Sequence, residues 1–312
     1  MSKIAIVGAG LVGSTTAFAL MLGGTAEEIV LIDKIKEKAR GEALDLNHGT
    51  SFIQPVTIYA GDYPDCRGAD IVIITAGIPQ KPGQSRLELV EANKRIIRQV
   101  VESILNYNTE AILILTTNPV DIMSYVAWEA SELPASRVLG SGTVLDTSRF
   151  RYLLGSRCNL DPRNIHAYVI GEHGDSEVLL WSTVNIAGIP MEKFCDTCEQ
   201  TCSPEGKDDI SQQVRQAAYE VIEGKGATYY AVALALRRIT ESILRNEHSI
   251  LTVSTMIEEF QGVKDVYLSL PCILGENGVE KIVSLEMSNA EKEKFLKSAE
   301  IVKNYTHNQQ PV

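Results

Sequence analysis

The stretch "KIAIVGAGLVGSTTAFAL" (3–20) constrains this chain more than any other. An apolar run reads as a buried strand, Gly8-x-Gly10-x-x-Gly13 follows it, and the next residues open a helix. A second apolar run, "EIVLID" (28–33), ends in Asp33, 20 residues after Gly13. The three glycines alone mean little. Placed between a strand and a helix, with an acid closing the next strand, they describe a βαβ unit that binds a dinucleotide. Gly8 permits the tight turn, Gly10 lets a pyrophosphate approach the backbone, and Gly13 lets helix and strand pack closely. Val12 lies in the same turn, at the helix N-terminus that faces the phosphates. Asp33 can accept hydrogen bonds from both ribose hydroxyls and would repel a 2′-phosphate, so the expected cofactor is NAD and not NADP.

The alternation continues. "VTIYAG" (56–61), "DIVIITAG" (70–77), "AILILTT" (111–117) and "RVLGSG" (137–142) are near-continuous apolar runs, as strands buried on both faces require. Between two of them, "RLELVEANKRIIRQVVESILNYN" (86–108) keeps the helical rhythm through Leu89, Asn93, Ile96, Ile97, Val100, Ile104 and Leu105. Six strands joined by crossovers predict an α/β fold, a Rossmann-type doubly wound parallel sheet. The second half reads as a mixed α+β catalytic domain, with a helix at 143–158, strands at 166–171, 176–188 and within 249–285, and helices from 209 to 246 and from 289 to 305. The expected division is an NAD-binding domain at 1–142 and a substrate domain at 143–312.

Net charge sets limits. With 29 basic and 40 acidic side chains the chain carries −11, which argues against nucleic acid or an anionic membrane as a general partner. Residues 4–24 are uncharged, but their glycines and strand–turn–helix pattern argue against a signal peptide. No other run has the length of a membrane span, and a cytoplasmic protein is expected. Cys195, Cys198 and Cys202 in "CDTCEQTC" have helical spacing, so a metal site is one reading. No fourth ligand is evident nearby, which favours free thiols and no metal.

Five further residues point to chemistry. His173 sits between glycines in "GEHGDS", beyond a strand, where a histidine is a poor core residue and is expected to be exposed. Asp146 and Arg149 are three apart on a helix, either a local ion pair or a shared site. Asn118 ends a strand, where open α/β sheets bind ligands. Arg86 closes the loop "AGIPQKPGQSR" (76–86), and Thr228 opens a helix in "KGATYY". Beside a nicotinamide these residues make one kind of sense. Reducing a ketone needs a hydride and a proton, and His173 can supply the proton. Asp146 can bind its other ring nitrogen and favour imidazolium. Arg149 suits bidentate capture of a carboxylate, and Arg86 can polarise the carbonyl.

With "GAGLVG", "DIVIITAGIPQKPGQSR", "TTNPVD", "GTVLDTSRFR", "GEHGDS" and "GKGATYY" in this order, the chain resembles the lactate/malate dehydrogenase family over essentially its whole length. The resemblance implies His173 as proton donor and acceptor with Asp146 its partner, Arg149 on the substrate carboxylate, and Arg86 on a mobile loop. It implies Asn118 beside substrate or nicotinamide and Thr228 in the pocket wall. It also places Gln80 opposite the far end of the substrate, where the malate enzymes resemble "xRKPG". A neutral Gln80 cannot balance a second carboxylate in a closed site, whereas a methyl group needs no such partner. The implied substrates are pyruvate and L-lactate. "GIP" at 77–79 is the malate-like departure, and Lys81 lies close by. Malate, or a larger 2-hydroxy acid, is the same-class alternative, and a non-catalytic NAD-binding protein the alternative from another class. Arg151 and His166 match positions at which the allosteric bacterial members of the family bind fructose 1,6-bisphosphate across a subunit dyad, and the family implies a homotetramer.

Overall fold

A computed structural model of the chain describes residues 2–78, 86–194 and 203–307. The first half alternates strand and helix: β1 Lys3–Val7, α1 Leu11–Leu22, β2 Glu28–Ile32, α2 Lys36–His48, β3 Thr57–Ala60, β4 Ile71–Ile74, α3 Arg86–Leu105, β5 Ile112–Leu115, α4 Val120–Ser131 and β6 Val138–Gly140. These six strands pair in parallel in the order β6-β5-β4-β1-β2-β3. Chain direction across the sheet reverses between β1 and β4, which opens a crevice at their carboxyl ends. The strands form because their residues are apolar on both faces. Ile71, Val72, Ile73 and Ile74 of β4 are all fully buried, with helices on either side. In α3, Leu89, Val90, Asn93, Ile97, Val100, Val101 and Ile104 make the inward stripe.

The second half comprises α5 Val144–Cys158, β7 Ile165–His166, β8 Val169–Ile170, β9 Val178–Leu179, β10 Asn185–Ile186, β11 Ile189–Pro190, α6 Met191–Phe194, α7 Pro204–Lys225, α8 Tyr230–Leu244, β12 Ser249–Ile257, β13 Val266–Gly275, β14 Gly278–Ile282 and α9 Asn289–His307. The expected strand at 166–171 is two short strands, because Arg151 Nε takes the Ala167 carbonyl between them (3.1 Å). That at 176–188 is broken by a turn at Trp181–Thr183, where Trp181 stacks edge-on against Phe150. The antiparallel strands β12–β14 join the parallel sheet itself, extending it to nine strands through Ser254 of β12 beside Gly140 of β6. One core therefore runs through both halves, from Ile4 and Val30 to Leu268 and Phe295. A second, around Phe150, Leu154, Ile165, Ile210 and Val214, lies under α5 and α7. No helix among the described residues is long and apolar enough to cross a membrane.

Candidate active site

The crevice starts at the glycine turn. Gly8 adopts φ +111°, where an L side chain is strained, and an added Cβ would lie 2.6 Å from Thr75 Oγ1. A Cβ on Gly13 would sit 1.9 Å from the Gly8 carbonyl, so helix and turn touch backbone to backbone. Gly10 differs: a Cβ there meets nothing nearer than Lys38 Nζ at 3.9 Å, and the surface above it is open. Gly10 is also the N-cap of α1 and makes no side-chain cap, so the helix presents free N–H groups to that space. Asp33 ties the turn to β2. Its Oδ2 accepts from Ala9 N (2.8 Å) and its Oδ1 from Ile35 N (2.9 Å). Each oxygen keeps a lone pair for a further donor. This cradle fits a dinucleotide: glycine where backbone must approach phosphate, and an oriented carboxylate where a ribose would lie. Val12 stands half-buried in the first turn of α1.

The loops leaving β4 and β5 are bound to each other. Asn93, buried in α3, accepts at Oδ1 from Ile78 N (2.9 Å) and donates from Nδ2 to the carbonyls of Asn118 (2.9 Å) and Ile78 (3.3 Å). Asn118 itself is exposed at the carboxyl end of the sheet, before a cis peptide to Pro119. Asn93 thus holds Asn118 beside Ile78. Its only trace in the sequence is an amide within an apolar stripe. Gln80 and Lys81 lie outside the described residues, as do Cys195, Cys198 and Cys202. Arg86 begins α3, with its side chain outside the described set.

On the opposite side, Asp146 in the first turn of α5 is buried and holds two partners. His173 Nδ1 meets its Oδ2 at 2.6 Å, and Arg149 Nη1 donates to its Oδ1 at 2.6 Å. The local ion pair and the shared site are thus one arrangement. The His173 side chain is 25% exposed and not the open surface group expected, because the turn folds it back over α5. With Nδ1 bound to Asp146, Nε2 is the ring atom that can exchange a proton outward. Burial lowers the imidazole pKa, but the Asp146 charge and hydrogen bond, with Asp121 and Glu177 adding, raise it to about 9. Burial likewise pushes Asp146 up, yet His173 and Arg149 outweigh it and hold the carboxyl below its ordinary range.

The turn is anchored at each end. Gly171, at φ +89°, exchanges backbone hydrogen bonds with Ser269 of β13 (2.9 and 3.0 Å). Glu172 N donates to Ser298 Oγ of α9 (2.8 Å), and Ser176 Oγ donates to Glu172 Oε2 (2.5 Å). His173 N donates to Asp121 Oδ2 (2.8 Å), while Ser254 Oγ donates to Asp121 Oδ1 (2.6 Å). Asp121 is buried at the start of α4, and burial raises its carboxyl to about 6. It joins the parallel half, β12 and the histidine turn at one point. In the sequence it is an ordinary first-turn acid after "TTNPV", and nothing local marks its partners. Thr228 is half-buried in the link between α7 and α8, where Lys225 Nζ lies 3.3 Å and 3.9 Å from the ring centroids of Tyr229 and Tyr230. Arg151 of α5 bonds the Ala167 carbonyl and lies 5.5 Å from the Tyr168 ring, and His166, exposed, precedes Ala167 in the chain. Among the described residues no His, Cys, Asp and Glu cluster is arranged for a metal ion.

Residues 2–140 match the model of the lactate/malate dehydrogenase NAD binding domain, and residues 143–310 that of the family's alpha/beta C-terminal domain. The chain is 55% identical over 304 residues to an L-lactate dehydrogenase of Thermoanaerobacter sp. (strain X514), covering 97% of this chain and 98% of the relative. It is 53% identical over 302 residues to L-lactate dehydrogenase 1 of Clostridium acetobutylicum, covering 97% and 96%. Among solved structures, a minor L-lactate dehydrogenase from Enterococcus mundtii, in a ligand-bound form, superposes with a TM-score of 0.95 at 41% identity, over 99% of each chain. A lactate dehydrogenase from a deep-sea metagenome library also superposes with a TM-score of 0.95, at 44% identity over 97% of each chain.

Proposed function

The chain belongs to the lactate/malate dehydrogenase family and is an NAD-dependent oxidoreductase, and from that premise we propose that it interconverts pyruvate and L-lactate, with His173 giving and taking the proton. One observation carries this reading. A histidine on a tight turn is held on a buried aspartate of α5, with an arginine of the same helix on the same carboxylate, in a chain whose first half is a dinucleotide-binding sheet.

The nicotinamide, when bound, supplies or accepts the hydride. The glycine turn and Asp33 hold the dinucleotide, and Asn118 borders its reactive end. His173 Nε2 gives its proton to the carbonyl oxygen as that oxygen gains charge, and takes it back in the reverse direction. Asp146 keeps the imidazole protonated at neutral pH and fixes Nε2 outward. Arg149 spends one Nη1 N–H on Asp146 and has further guanidinium donors for a substrate carboxylate. Arg86 polarises the carbonyl as charge develops on its oxygen. Gln80 and Thr228 bound the methyl end.

The organisation that serves this chemistry is an NAD domain at 1–142 and a substrate domain at 143–312, in a homotetramer of the cytoplasm. Arg151 and His166 would receive fructose 1,6-bisphosphate across a two-fold axis, and their placement on adjacent segments supports this. The test is kcat/KM for pyruvate and for oxaloacetate with NADH, each with and without fructose 1,6-bisphosphate, in wild type and Gln80→Arg. The expected result is a preference for pyruvate of about a hundredfold or more, reversed toward oxaloacetate in the variant. Wild-type preference for oxaloacetate overturns the substrate assignment, and no turnover of any 2-oxo acid overturns the enzyme reading.

A further inference from the structure

Glu177 lies four residues after His173, at the end of the tight turn, and is only 4% exposed. Its backbone is pinned at both ends. Its N–H donates to the Gly174 carbonyl (3.1 Å), and its carbonyl accepts from Arg215 Nη2 of α7 (3.5 Å). The carboxyl is placed differently. Oε1 is buried with no hydrogen-bond partner among the described residues, and so is the Arg215 Nε. The charged groups facing it come from every neighbouring element: Asp146 and Arg149 on α5, His173 on the turn and Arg215 on α7. Asp146 already saturates the ring Nδ1, and Asp121 holds the turn's backbone. Glu177 is the third acid around the imidazole, and neither anchoring task needs it.

We propose that Glu177 is a positioning residue for the reaction: its buried carboxylate, at the end of the His173 turn, keeps the proton on His173 as pH rises above neutral. This rests on the reading of His173 as the proton donor. A desolvated carboxyl with no donors resists ionisation. Burial first, then the Asp146 charge, push the Glu177 carboxyl up to about 8. It therefore ionises in the same range as His173. Once Glu177 is charged, His173 gains a further anion beside Asp146 and Asp121, and the imidazolium persists to higher pH than those two sustain.

Two variants separate charge from shape. Glu177→Gln removes the charge at nearly constant volume, and Glu177→Asp keeps it. One readout is the pH profile of kcat/KM for pyruvate at saturating NADH. The other needs no substrate: the pH dependence of His173 modification by diethyl pyrocarbonate, with His173→Asn as background. In Glu177→Gln both the alkaline limb and the modification midpoint should move to lower pH by about one unit, while Glu177→Asp should follow wild type. Wild-type midpoints in Glu177→Gln overturn the proposal, as do equal shifts in both variants, which would mean packing and not charge. If the modification midpoint moves in Glu177→Gln alone while the wild type turns over no 2-oxo acid, the hold of Glu177 on the His173 proton stands and the functional reading fails.

Discussion

Replacing Asp146 by Asn tests the electrostatics of the site directly. In the wild type the Asp146 charge and its 2.6 Å bond to Nδ1 overcome burial and raise His173 from 6.5 to about 9. That gap of about 2.5 units corresponds to about 3.4 kcal/mol of preference for imidazolium. The variant keeps the burial and loses the anion, so the pKa should return to about 6.5 or below. At pH 7.5 the protonated fraction would fall from about 97% to about 9%, a factor of about ten. Two further losses add to this. The Asn amide can donate to Nδ1 and so favour the tautomer without a proton on it, and Arg149 loses the carboxylate that orients it. The expected fall in kcat/KM for pyruvate at pH 7.5 is about 10²- to 10⁴-fold. The assay is a stopped-flow pH profile at saturating NADH, in which the alkaline limb should move acidward by about two units. Stability supplies a second check. A group whose pKa is raised on folding contributes stability that is complete below its unfolded value and is lost as pH rises through its folded value. The His173 contribution is therefore present below pH 6.5 and lost toward about 9. Asp146→Asn should remove that loss from the pH dependence of unfolding. An alkaline limb within about half a unit of wild type would refute the reasoning, because groups other than Asp146 would then be holding the proton.

Two further perturbations test the frame around the chemistry. Gly13→Ala would place a Cβ 1.9 Å from the Gly8 carbonyl, so the turn must open and NADH affinity should fall more than about tenfold, about 1.4 kcal/mol, in a fluorescence titration; unchanged affinity would mean the turn has room to give. Asn93→Ala removes three hydrogen bonds joining Ile78 to Asn118 and should cost about 1–3 kcal/mol in urea unfolding while raising KM for pyruvate more than Kd for NADH; a change confined to NADH binding would mean that the clamp serves the cofactor alone.

The cofactor half was legible because its determinants are local. A strand buried on both faces must be an apolar run, and a backbone that meets phosphate must be glycine. An acid that meets ribose must close the next strand, so Gly8, Gly10, Gly13 and Asp33 could be placed by counting. His173, Asp146, Arg149 and Asn118 could be named for a related reason, since each stands at an element end or a turn whose composition sets it apart. Their partners could not. Asp121 meets His173 across 52 residues and Ser254 across 133, and the Asn93 clamp joins segments 15 and 25 residues away. Such pairings leave no periodicity in the chain. The mixed second half shows the same limit. Its strand composition was plain, but only the tertiary structure decided that β12–β14 continue the parallel sheet and share its core, because antiparallel register depends on which edge remains unpaired once the first six strands are laid down. The chain by itself determined which residues can do the chemistry. The packing of α4, α5, α7 and β12 around one turn decided the charges that surround His173, since desolvation and opposing carboxylates exist only when distant segments meet.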